Sequence, residues 1–391
     1  MTAIRTNLPL LDRLIADALD QIGSNGCARP PGTFDPSKVA IIGLQHIVGT
    51  THALVRAFLA LGIRPSRIRL LGKAYSTDPA TLEKIRSEGA CAEVSGYLDP
   101  TVGYDDTLKA DVTWFVEESI AAFLDDADLR KVVVLDDGGF MIAEMSRHSS
   151  LLESKDISLR GVEQTTSGFR LISRKMATFP VVNVARSSVK LADEADIVTD
   201  IVWRTLVHLM GEIGVKPRRI LIVGKGAIGS SLGGLAAGHC HVDYFDTDPE
   251  KLAGSQSALA EIVTRYDLVV GCVGSTVIDL SALADPDKLV VFASASSSDV
   301  EFRAEKFRAL AGSGPDHREH ARRGNILLLN SGFPINFYFV GVIEEPAIFQ
   351  LTRALLFAGV VQACGLEASA PSVVALDDRQ IDRYVKEGLI V

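Results

Sequence analysis

Cysteine is scarce: there are five in 391 residues (Cys27, Cys91, Cys240, Cys272 and Cys364), and no two stand at the spacing of a zinc knuckle or redox pair. Such scatter offers neither a disulfide framework nor a thiolate metal site, and it fits a reducing, cytoplasmic setting. Basic residues are in deficit, 40 Lys and Arg against 49 Asp and Glu, for a net charge of -9. That balance repels phosphate backbones and anionic bilayers, so neither nucleic acid nor a membrane surface is expected as a partner. No apolar run approaches the ~18 residues that crossing a bilayer demands. Asp12, Asp17 and Asp20 interrupt the early leucines, which argues against a secretory signal.

What is present is apolar residue, 47% of the chain and spread along its whole length. At roughly 150 residues per domain, the length predicts two domains, each with its own core. Val39 to Ile42, Ile68 to Leu71, Val132 to Leu135 and Val181 to Val184 read as buried strands, with helical patterns between them. One such helix carries Ala53, Leu54, Ala57, Phe58 and Leu61 on one face and ends at Gly62, where a left-handed cap needs no Cβ. A second cycle of strands follows at Ile220 to Val223, Val242 to Phe245, Leu268 to Val270, Leu289 to Phe292 and Ile326 to Leu329. The alternation predicts an α/β fold of two doubly wound parallel-sheet domains, one a Rossmann-type NAD domain and one a substrate domain. The substrate domain is expected over residues 1–197 and 340–391, the NAD domain over residues 198–339.

The strand Ile220 to Val223 runs into Gly224-Lys-Gly226-Ala227-Ile228-Gly229 and then a small-residue helix. The first glycine allows the tight turn, the second lets backbone approach a pyrophosphate, and the third lets helix pack on strand. Asp246 ends the next strand about twenty residues on, placed to accept from ribose hydroxyls. An acid there, with Asp248 near and no adjacent arginine, disfavours a 2′-phosphate and predicts NAD as the cofactor.

Outside that loop, several segments fall in a shared order. They are Gln45-His46, Tyr75-Ser-Thr-Asp78, Leu135-Asp-Asp-Gly-Gly139, Gly161-Val-Glu-Gln-Thr-Thr-Ser-Gly168, Asn183 with Lys190, Asp299-Val-Glu301 and Pro334-Ile-Asn336. In this order the chain resembles the S-adenosylhomocysteine hydrolase (adenosylhomocysteinase) family over nearly its whole length. The resemblance implies a redox-neutral enzyme in which NAD+ oxidises a nucleoside 3′-hydroxyl, so that the 4′ proton is acidified and the 5′ substituent is eliminated. Water then adds and the hydride returns. It implies Lys190 at the 3′-hydroxyl, with Glu194 where a supporting group stands, and Asp137 with His46 near C4′ and C5′. Thr50, Thr51, Ser76, Gln164 and Thr165 would lie on the substrate side. Thr165, Thr166, Ser167, Val273 and Asn336 would lie on the cofactor side.

The departures fall mainly on substrate contacts. Thr50 stands where the family has a longer polar residue reading the adenine edge, and Gln164 replaces a ribose-binding glutamate. Glu194 and Ala195 replace an Asp-Asn pair, Ser297 a histidine, and Val342 and Ile343 lie where a mobile histidine is expected. The family's long C-terminal tail has no counterpart before Val391. The leaving group is therefore open between a thiol, as in S-adenosylhomocysteine, and water, which would make a 4′,5′-unsaturated nucleoside. A plain NAD-dependent dehydrogenase and a catalytically silent NAD-binding relative are the alternatives, and a homo-oligomer, dimer or tetramer, is expected.

Three features are read as structural. His239 and His241 alternate along one strand without a third ligand, so no metal site is expected. His317-Arg-Glu-His320-Ala-Arg-Arg323 reads as a solvated helix face. Cys272 is expected to pack behind the cofactor sheet.

Overall fold

The protein is described by a computed structural model over residues 6–23, 34–96, 101–175, 177–246, 248, 259–314, 316–339, 346–367 and 370–389; Cys27, Val342 and Ile343 lie outside these. Two compact units are formed. The first comprises Met1–Ser95, Lys109–Glu194 and Val340–Val391, the second Gly96–Leu108 and Ala195–Phe339.

Among the described residues the strands are β1 Val39–Gln45, β2 Ile68–Gly72, β3 Cys91–Val94, β4 Lys131–Asp136, β5 Ser158–Glu163 and β6 Val181–Asn183. They continue with β7 Arg219–Val223, β8 His241–Phe245, β9 Leu268–Gly271, β10 Val290–Ser294, β11 Ala321–Arg323, β12 Ile326–Leu328 and β13 Val373–Ala375. The first unit's sheet has the order β13-β6-β5-β4-β1-β2-β3, every neighbouring pair parallel. The second has the order β11-β12-β10-β9-β7-β8, parallel except where β11 meets β12. Both are the doubly wound α/β arrangement that the strand and helix alternation implies.

All seven residues of β1 are buried, as a strand covered on both faces requires, and its apolar run is correspondingly continuous. Helix Gly49–Leu61 follows, and stops at Gly62, whose φ of 99° is left-handed and whose N–H donates to the Leu59 carbonyl at 3.0 Å. Strand β5 breaks the rule of apolar continuity because Arg160 sits in its middle. That guanidinium is buried and donates to the carbonyls of Leu159 (2.7 Å) and Leu366 (3.0 Å), so its polarity is satisfied inside the unit. No helix among the described residues is long and apolar enough to cross a membrane.

Three expectations are corrected. Residues 96–108 fall to the second unit. There Tyr104 is buried edge-on to Phe333, 5.6 Å between ring centres, and its N–H donates to Asp299 at 3.2 Å. His239 precedes β8 in a turn, its ring 5.3 Å from Trp203, while His241 lies on the strand beside Asp243 at 3.2 Å. The stretch 317–323 is not a helix; it turns into β11, an edge strand paired antiparallel with β12.

Asp299 also anchors the second unit through Arg308, whose Nη2 lies 2.8 Å from its carboxylate and whose Nη1 donates to the Ser331 carbonyl at 2.8 Å. Both charged side chains are nearly inaccessible, 3% and 1% exposed. Removing one partner strands the other charge in a low-dielectric interior. Asp299→Ala is expected to cost about 3–5 kcal/mol in urea unfolding, and a loss below about 1 kcal/mol would show the pair to be dispensable.

Candidate functional site

Doubly wound sheets present ligands at the carboxyl ends of their strands. In the first unit, the first residue beyond β1 is His46, beyond β2 is Lys73, beyond β4 is Asp137 and beyond β5 is Gln164. These four strands are consecutive neighbours in the sheet, so their side chains meet. Lys73 Nζ lies 2.5 Å from Asp137 Oδ1. Gln164 Nε2 donates to Asp137 Oδ2, and His46 Nε2 stands 3.4 Å from the same oxygen. The other ring nitrogen, Nδ1, is 2.5 Å from Ser76 Oγ. Sequence reasoning found His46, Asp137, Ser76 and Gln164 but passed over Lys73, although its place directly after an apolar strand is the same signal that marks His46 and Asp137.

One residue back, the strands end in Gln45, Asp136, Glu163 and Asn183, and polarity continues inward. Asp136 and Glu163 are register partners on β4 and β5. Asp136 accepts from Ile142 N–H at 2.7 Å; Glu163 Oε1 accepts from the Thr165 N–H and hydroxyl, both at 2.7 Å, and from Gly138 N–H at 3.4 Å. Seven buried side-chain polar atoms among the described residues have no partner, and five of them belong to this rim: Gln45 Nε2, Asp136 Oδ1, Glu163 Oε2, Gln164 Oε1 and Asn183 Oδ1. A buried polar atom left unmet is costly, so their concentration at one end of one sheet marks a place built to meet a polar ligand.

Charge at the rim is set by burial and by neighbours. Burial opposes ionisation of Asp137, yet the Lys73 ammonium and its hydrogen bonds hold the carboxyl below its ordinary range. Burial pulls His46 down to about 3, with Lys73 and Arg353 adding to it against Asp137, so the imidazole is neutral at ordinary pH. Burial pushes Asp136 up to about 7, helped by the adjacent Asp137 carboxylate, and raises Glu163 well above its ordinary value.

The remaining residues expected here occupy distinct settings. Lys190 and Glu194 form an ion pair one turn apart in helix Ser188–Glu212, 2.8 Å from Nζ to Oε2, and Thr352 donates to Glu194 at 2.9 Å. Thr50 is buried and accepts from Arg353 Nε at 3.0 Å, while Arg353 Nη1 reaches Gln45 Oε1 at 3.4 Å. Thr51 donates to the His46 carbonyl at 2.6 Å and so ties the loop to its helix. Thr165 caps helix Thr166–Lys175 by accepting from Gly168 N–H at 2.9 Å, and Thr166 and Ser167 are exposed in its first turn. Thr165, Thr166 and Ser167 belong to the first unit, the glycine loop, Asp246, Val273 and Asn336 to the second.

In the second unit, Gly224 takes a φ of 100°, and a Cβ there would stand 2.8 Å from the Val273 side chain and 3.1 Å from Cys272 backbone. At Gly229 a Cβ would lie 1.9 Å from the Gly224 carbonyl oxygen. Both glycines are thus demanded by the turn itself. Gly226 is different: nothing lies within 4 Å of its Cβ position, and it opens helix Ala227–Ala237 with no side-chain cap. A bare helix N-terminus beside open space suits an anion. Asp246 accepts from Lys225 N–H at 2.7 Å and from Asp248 N–H at 3.0 Å. Val273 N–H donates to the buried Glu301 at 2.5 Å, and Asn336 sits half-buried in the turn Ile335–Phe337.

No family profile matches the chain. It is 35% identical over 333 residues to uncharacterized proteins from two strains of Mycobacterium tuberculosis, covering 83% of this chain and 64% of theirs. The chain thus spans a little under two thirds of the length of those curated relatives. Among solved structures it is similar to the A chain of dipicolinate synthase from Bacillus subtilis, with a TM-score of 0.35 and 9% identity over 80% of this chain and 95% of that one. It is also similar to an NAD+-bound 3-phosphoglycerate dehydrogenase of Entamoeba histolytica, with a TM-score of 0.39 and 9% identity over 83% and 94%. At such scores the likeness carries no functional argument.

The raised carboxyl of Asp136 has a consequence for stability. A folded-state value near 7 against an ordinary 3.8 means that the folded chain holds this proton more tightly than the unfolded one. Its stabilising contribution is complete below about pH 4 and is lost as pH rises toward 7. Asp136→Asn, which keeps the acceptor for Ile142, is expected to gain melting temperature relative to the parent steadily across that window; a constant gap from pH 4 to 8 would contradict the assignment.

Proposed function

We propose that the protein is an NAD-dependent, redox-neutral enzyme of the adenosylhomocysteinase type. In this reading it transiently oxidises the 3′-hydroxyl of a nucleoside and catalyses reversible elimination or addition at C5′. The carrying observation is the first unit's rim, where His46, Lys73, Asp137 and Gln164 end four adjacent strands among five unmet polar atoms. A simple alcohol dehydrogenation needs one group to take the hydroxyl proton. Elimination needs more, because a second proton leaves carbon and a leaving group must be protonated. The first unit offers two separate sets, Lys190 with Glu194 and His46 with Asp137, which favours elimination.

Lys190 would hold the 3′-hydroxyl and move its proton. Asp137 and His46 would serve the 4′ proton and the departing or adding 5′ group, which takes the electron pair of the broken bond. Gln164 has spent its NH2 on Asp137, so its unmet Oε1, with that of Asn183, is left to accept from ligand hydroxyls. Ser76 and Thr50 act one step back, orienting His46 and Arg353. Gly224, Gly226, Ala227, Ile228 and Gly229 would hold the pyrophosphate and Asp246 the ribose of NAD, with Val273 and Asn336 as further contacts. Bound NAD supplies a hydride acceptor that returns the hydride within the same turnover. A homo-oligomer belongs to the same reading.

Two experiments test this. Gly226→Val fills open space only, so the chain should melt close to the parent temperature while NAD+ affinity by calorimetry falls by at least about tenfold, ~1.4 kcal/mol. Unchanged affinity would remove the dinucleotide assignment. Mass spectrometry of full-length protein with NAD+ in heavy water, offered S-adenosylhomocysteine or adenosine, should show thiol release or deuterium uptake with loss of water. Lys190→Ala should slow it by about 100-fold or more. Net NADH appearing one for one with product would instead assign a plain dehydrogenase.

A further inference from the structure

Lys73 is a lysine 5% exposed at the end of a parallel strand, where a solvated side chain would ordinarily be expected. Its ammonium meets Asp137 at 2.5 Å, and the opposite oxygen of that carboxylate faces His46 and Gln164. His46 and Gln164 are thus each one contact from the Lys73–Asp137 pair. We propose that Lys73 is a positioning residue of the candidate site, whose ammonium fixes the Asp137 carboxylate against His46 and keeps the imidazole uncharged. The inference rests on the same site as the proposed nucleoside chemistry and adds to it a residue that holds the protonation states on which that chemistry draws.

The groups around His46 define what else could act on it. Asp137 approaches from the end of β4, Lys73 from the end of β2, Ser76 and Tyr75 from the turn Ala74–Ser76, and Arg353 from helix Pro346–Gly365. Asp137 favours a protonated ring, whereas burial, Lys73 and Arg353 oppose it. Taking away the Lys73 charge leaves Asp137 opposed by less, so proton affinity at His46 should rise. Gln164 alone then holds Asp137 on the other side. A carboxylate less firmly held would also take up a proton more readily.

The test is the ring titration of His46 by NMR on the full chain labelled at histidine, assigned by the signal lost in His46→Asn. In the parent protein His46 should stay unprotonated down to pH 5. In Lys73→Met its proton affinity should rise by roughly tenfold or more. Lys73→Arg should restore the parent behaviour. A parent His46 that titrates near its ordinary 6.5 would overturn the proposal, and that measurement does not depend on any variant folding. A folded Lys73→Met with an unchanged His46 would overturn it equally. No ligand or turnover enters either readout, so failure here leaves the nucleoside reading standing, and failure there leaves this one.

Discussion

The contact between Lys73 and Asp137 is the interaction without which the first unit's rim would not hold. Asp137 is 4% exposed, and a lone carboxylate at that depth would take up a proton or force the strand end open. Lys73 satisfies one oxygen and Gln164 the other, so the side chain is held from the strands on either flank of β1 and β4. Burial raises both Asp136 and Glu163 toward the neutral form, and the ionised Asp137 carboxylate adds to each. Burial and one fixed charge together order the protonation of three carboxyl groups on two adjacent strand ends.

That ordering gives the exchange at position 164 a physical meaning. A glutamate there would add a fourth carboxyl to Asp136, Asp137 and Glu163 within one buried rim, where the Lys73 ammonium meets Asp137. Glutamine instead donates to Asp137 and keeps an acceptor facing outward from the pair. A neutral amide at 164 and a buried lysine at 73 are then two parts of one charge balance. Neutral amides such as Gln164 and Asn183 accept hydrogen bonds less strongly than a carboxylate does, but with a fixed geometry.

How far this was legible from residues alone depended on range. Strands β1, β2, β4 and β7 announced themselves by apolar continuity, and the glycine loop by its spacing after β7. His46 and Asp137 stood out because they fall in the segments that resemble the adenosylhomocysteinase family, and each also follows a predicted strand. Lys73 did not, since a lysine after a strand reads as solvated until the partner 64 residues away is known. Arg353 was hidden in an apolar helix, and its contact with Thr50 spans 303 positions. β5 was lost to the buried Arg160 and β3, β11 and β13 to their shortness. Tyr104 carries no local sign that its backbone N–H meets Asp299, 195 positions away in the second unit.

The two units also share a device that neither local pattern nor composition exposes. In the first, Glu163 is buried and receives the N–H groups of Gly138 and Thr165, so one carboxylate fixes the loops beyond β4 and β5. In the second, Glu301 is buried and receives the N–H groups of Val273 and Gly274, with Ser294 on its other oxygen, and so fixes the loop beyond β9 to the end of β10. Each carboxyl lies against a glycine where a Cβ could not stand: one at Gly168 would come within 2.3 Å of Glu163 Oε1, and one at Gly271 within 2.4 Å of Glu301 Oε2. Burial raises both carboxyls above their ordinary range, a cost that a merely structural loop could avoid with a neutral amide. A charge-capable acceptor gathers several N–H groups at once and rigidifies the turn that bears them. Such stiffness holds the groups of a turn within a fraction of an ångström, and the device recurs at the carboxyl ends of both sheets.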